Sequence, residues 1–70
     1  MTVAGIGETA AASLKKIGFT HAYHLLGQFL ILNMDEENFL AWLAEHCPKL
    51  NSANRNDTYT CLKQWCDNNL

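Results

Sequence analysis

Gly5, Ile6 and Gly7 place an apolar residue between two glycines, and strong helix formers follow almost at once. This pattern can do one piece of chemistry without any reactive side chain. Glycines permit a tight turn whose backbone N–H groups point outward. A helix that starts directly after the turn adds its own unpaired N–H groups and the positive end of its dipole. Such an assembly holds a phosphate-like anion. Ile6 seats the turn in the core, Ala11 is small enough for close packing, and Leu14 continues the inner face. The spacing matches the hairpin of a helix-hairpin-helix unit, which we place at residues 2–18. The alternative is a plain glycine turn between helices, because G-x-G alone is a weak signal.

Other reactive residues are less well placed. Cys47, Cys61, Cys66 and His46 could form a zinc set, but zinc sites usually begin from closely paired ligands. Cys61 and Cys66 fall on different faces of a helix. Buried, reduced thiols are the simpler account, and three cysteines do not suit a secreted disulfide framework. His21 and His24 share a helical side without a nearby acid or thiol. Asp35, Glu36 and Glu37 sit where acids complement a helix dipole. No catalytic, metal or cofactor residue is assigned, and an enzyme is not expected.

The elements that must position the hairpin are all helical. A first helix is expected over residues 8–17, with Ala11, Leu14 and Ile17 inward and Gly18 as its stop. A second covers residues 21–32 with Thr20 as its cap. It is apolar on most sides, so a second copy of the chain is its natural cover. Gly27 lies in the middle of it, where a second backbone could approach closely. A third runs over residues 35–47, opened by an Asn33/Glu36 capping box, with Phe39, Trp42, Leu43 and Cys47 inward. Pro48 ends it, and a polar loop leads to a last helix from about Asp57 that carries Leu62, Trp65 and Cys66. Trp42 and Trp65 read as core anchors.

Seventy residues make one small domain, residues 1–70, and a core of that size is marginal alone. Charged residues are only 17% of the chain, which leaves more surface free to be apolar. The net charge of −2 does not by itself predict nucleic-acid binding. No apolar run is long enough to span a membrane, and the first residues do not read as a secretory signal.

Several strings resemble the barrier-to-autointegration factor family. They are Gly5-Ile6-Gly7-Glu8, Gly18-Phe19, Ala22-Tyr23, Leu26-Gly27-Gln28-Phe29-Leu30, Asp35-Glu36, Trp42-Leu43, Cys47, and Cys61-Leu62-Lys63-Gln64-Trp65-Cys66-Asp67. The resemblance implies a compact all-α, SAM-like helical bundle that forms a homodimer. It implies binding and bridging of double-stranded DNA without sequence preference, a role in chromatin organisation, and a nuclear location with the cytoplasm as a second compartment. LEM-domain proteins are the family's protein partners.

By position, Gly5, Ile6, Gly7 and Glu8 would offer N–H groups to phosphate, with Thr9 and Ala10 beside them. Asn51, Ser52, Asn54 and Arg55 resemble a second DNA-contacting segment. Gly27, with Leu26, Leu30 and Ile31, would lie in the dimer interface.

The departures point to weaker DNA binding. Here the chain starts almost at the hairpin, whereas the family has a further N-terminal segment with basic residues and modifiable hydroxyls. Ala12 and Ser13 stand where relatives place lysines. Asn33, Met34, Leu40, Ala41 and Ala44 occupy the face where LEM-binding members carry charge. The loop at Pro48 and Lys49 is one residue longer. The rival function is an interaction module that has lost DNA and pairs with a related DNA-bridging protein.

Overall fold

The computed structural model describes Val3 and residues 5–70. Four helices follow in order: α1 (Glu8–Lys16), α2 (Ala22–Ile31), α3 (Glu36–His46) and α4 (Ser52–Asn69). There is no strand among the described residues. The first limb of the expected helix-hairpin-helix falls largely on Met1, Thr2 and Ala4, outside those residues. Val3 is irregular and half-buried.

The core forms where α2, α3 and α4 converge. Phe29, Phe39, Leu43 and Leu62 are completely buried. The rings of Phe29 and Phe39 meet edge to face at 5.1 Å, the geometry favoured by the aromatic quadrupole. Each such side chain contributes about 1.5–3 kcal/mol by leaving water. Trp42, Tyr59 and Trp65 pack around this centre without being fully enclosed. The inward set expected for α3 is therefore present. Leu62 and Cys66 are buried on α4 as anticipated.

Three local expectations need correction. On α1 the buried residues are Ala10 and Leu14, four apart, whereas Ala11 and Ile17 are exposed. The helix closes at Lys16, so Ile17 is its cap and leaves the inner stripe. Gly18 then takes φ +92°. Its N–H donates to Lys15 and that of Phe19 to Leu14, the paired bonds of a Schellman motif.

The cap of α3 is Asp35, whose carboxylate accepts from the Asn38 N–H at 2.8 Å. Asn33 and Met34 instead adopt left-handed φ values of 60° and 57° while closing the end of α2. Likewise His21, not Thr20, occupies the cap position of α2. There His24 Nδ1 accepts from the N–H groups of Thr20 and His21.

The largest difference is at α4. It begins at Ser52, not near Asp57, because the Asn51 side chain accepts from the Asn54 N–H at 2.8 Å. An asparagine cap outweighs the poor helix propensity of the Asn and Ser residues that follow it. The expected polar loop is thus mostly the first turn of a helix.

That early start has a consequence for the hairpin. Gly5, at φ +85°, lies directly on the backbone of α4. A Cβ there would run into the Asn54 carbonyl oxygen and sit 2.7 Å from Thr58 Oγ1. Thr58 is fully buried and donates its hydroxyl to the Asn54 carbonyl at 3.0 Å. Gly18 has a similar φ but nothing within 4 Å of its Cβ direction. Gly5→Ala should lower unfolding free energy by about 2–4 kcal/mol, combining backbone strain with overpacking. Gly18→Ala should lose only about 1 kcal/mol, from the backbone alone. Urea unfolding of both variants checks this, and equal losses would contradict the close approach at Gly5.

Candidate nucleic-acid interface

The N-terminus of α1 lacks a side-chain cap. Gly7 holds the cap position in an extended conformation and has no side chain to offer. Its carbonyl accepts from the Ala11 N–H, as a helix start requires. Among the described residues, the N–H groups of Glu8, Thr9 and Ala10 have no hydrogen-bond partner. Three donors thus converge at the positive end of a helix.

These donors border a cleft of about 170 Å³. One wall is Gly7, Glu8, Thr9, Ala10 and Ser13; the other is Cys47, Lys49, Leu50 and Asn54. The second wall is the turn that leads into α4, so two helix N-termini meet at one cleft. Gly5 lies behind it, against Asn54. Ile6 is half-buried and borders a different, apolar cavity with Val3, Leu14, Phe19 and Leu25. Within the cleft the charged groups are Glu8 and Lys49. Lys15 and Lys16 occupy the last turn of α1, about 10–12 Å along the axis from Glu8 at 1.5 Å per residue.

The second segment divides. Asn51 caps α4 and Asn54 lines the cleft. Ser52 and Arg55 instead border a shallow groove with Leu40, Ala41, Ala44 and Asn56, between α3 and α4. The Arg55 guanidinium donates to the Leu50 carbonyl and, at 3.3 Å, to Ser52 Oγ. Sequence reasoning did not assign Ser13 or Lys49 to the site. Lys49 is a cation in a segment, residues 46–56, that holds no Asp or Glu, but the side of the molecule on which it falls depends on the fold of the turn.

Along α2, Tyr23, Leu30 and Ile31 leave a stripe of exposed apolar side chains, and Met34 is exposed in the turn just after it. Gly27 lies on the same side, with nothing within 4 Å of its Cβ direction. Leu26 differs from the other expected interface residues: it is only 9% exposed and belongs to the chain's own core.

The cysteines do not gather around an ion. Among the described residues no group of three or more His, Cys, Asp or Glu side chains could hold a metal. Burial pushes the Cys47 and Cys66 thiols above their ordinary range, so both stay protonated as packing groups.

Comparison with known proteins places the sequence in one family along nearly its whole length. The family model described as barrier to autointegration factor matches residues 1–69. The chain is 47% identical over 70 residues to the barrier-to-autointegration factor of Danio rerio, covering 100% of this chain and 77% of that protein. Over 65 residues it is 49% identical to barrier-to-autointegration factor B of Xenopus laevis, covering 93% and 71%. The Homo sapiens protein is 44% identical over 66 residues, covering 94% and 73%. The match spans nearly the whole of this all-helical chain, and the chain belongs to the barrier-to-autointegration factor family.

Proposed function

We propose that this chain binds double-stranded DNA through its phosphate backbone, without reading sequence. Family membership supports a DNA-binding, chromatin-associated role in general terms. The observation that carries the specific reading is the start of α1 without a side-chain cap: three N–H groups with no partner among the described residues, on residues that line an open cleft. A phosphate oxygen placed there would accept from the backbone and meet the helix dipole. Such contacts fix position and carry no base information.

We further propose that two copies pair through the exposed face of α2. Tyr23, Leu30, Ile31 and Met34 offer apolar area, and the open space over Gly27 admits a second helix. A dimer would carry two hairpin clefts and could therefore bridge two duplexes. Two weak sites on one particle gain avidity when both engage the same DNA network. The low net charge is compatible with this chemistry, since most of the donors are amides. It also supports the rival reading, in which the fold persists as a pairing module for a DNA-bridging relative.

The test is a mobility-shift titration with two unrelated duplexes over a range of salt. Similar affinity for both is expected, with log affinity falling by about 0.9 for each phosphate engaged per decade of salt. Absence of binding to either at low salt would exclude the reading and leave the pairing module. Gly7→Asp should cap α1 and fill the cleft with a carboxylate, keeping the thermal midpoint while weakening DNA binding by about tenfold or more. Gly27→Glu should yield monomers in light scattering, because a charge buried in an apolar interface has no partner. Retention of a dimer would move the contact away from α2.

A further inference from the structure

We propose that Lys49 supplies the ammonium that meets the phosphate held by the α1 amides, and that Arg55 acts on DNA only by holding the turn that carries Lys49. This deepens the reading above and rests on it. Lys49 and Glu8 are the charged residues that line the cleft. Glu8 favours the helix but repels a phosphate that approaches the same N–H groups. An ammonium on the opposite wall offsets that repulsion. Among the described residues Lys49 forms no hydrogen bond or ion pair, and it is exposed.

The turn beneath Lys49 is fixed. Cys47 and Leu50 are buried at its two ends, at 2% and 7% exposure. The Leu50 N–H donates to the Cys47 carbonyl at 3.0 Å, closing four residues with Pro48 in the second position. Proline pre-sets φ there. The Leu50 carbonyl accepts from Arg55 Nη1, so the turn is tied to the first turns of α4. Lys49 is therefore a cation on a rigid mount. Arg55 faces the groove beside Leu40, Ala41 and Ala44 and does not line the cleft.

The experiment is a double-mutant cycle on the full chain, read as duplex affinity against salt. Lys49→Gln should keep the thermal midpoint, weaken binding about fivefold, and reduce the salt slope by about 0.9. Arg55→Met should weaken binding by releasing the turn. The double variant should bind no more weakly than Lys49→Gln, because both changes remove the same contact. Amide shifts on adding duplex should persist at Glu8, Thr9 and Ala10 in every folded variant. An unchanged slope in Lys49→Gln overturns the proposal. So does a further loss of about 0.9 in slope when Arg55→Met is added, since that is the signature of a direct phosphate contact. Should Arg55→Met fail to fold, the Lys49→Gln slope decides alone. A wild-type chain that binds no duplex removes the underlying reading and this one with it, whereas normal wild-type binding with an unaltered Lys49→Gln slope removes only this one.

Discussion

The contact between the Gly5 backbone and the Asn54 carbonyl of α4 sets the position of everything around the cleft. Because no side chain separates them, the hairpin sits at backbone-to-backbone distance from α4. Ser52 is the first residue of that helix, so its N-terminus falls beside the start of α1. Thr58 completes the arrangement by satisfying the same carbonyl from within the core. A larger residue at position 5 would part the two helix ends, and the cleft would lose one wall.

The site is built from main chain more than from side chains. Its donors are N–H groups at the start of α1, held by helix geometry. Such donors lose little entropy on binding, since folding has already fixed them. Under the proposed reading, they would let a chain of net charge −2 present a surface suited to anions. The potential that matters is local and comes from oriented dipoles, which net charge does not count.

Much of this arrangement was legible in the sequence, for identifiable reasons. Glycines around Ile6 with helix formers after them point to the start of α1, and the L-G-Q-F-L and C-L-x-x-W-C strings locate the family. Phe39, Leu43 and Leu62 were placed correctly because apolar periodicity follows from burial. The start of α4 was missed because composition in its first turn, Ser52 to Asn56, resembles a loop. The decisive signal was a single capping residue, Asn51, whose effect depends on one hydrogen bond to Asn54. Asn33 was misread for a similar reason: it can cap a helix start or adopt a left-handed turn, and here it does the latter. The side on which Arg55 falls follows from the phase of α4, which cannot be set until its first residue is known.

The bare start of α1 also bears on the energetics of the free chain. With glycine at its cap position, this helix end carries a standing deficit of roughly a few tenths of a kcal/mol relative to a side-chain cap. An anion that settles there makes good that deficit, and thermodynamic linkage requires it to stabilise the fold by as much as the fold favours the anion. Occupancy and foldedness then rise together, so a small domain with a marginal core would be at its most robust when its cleft is filled.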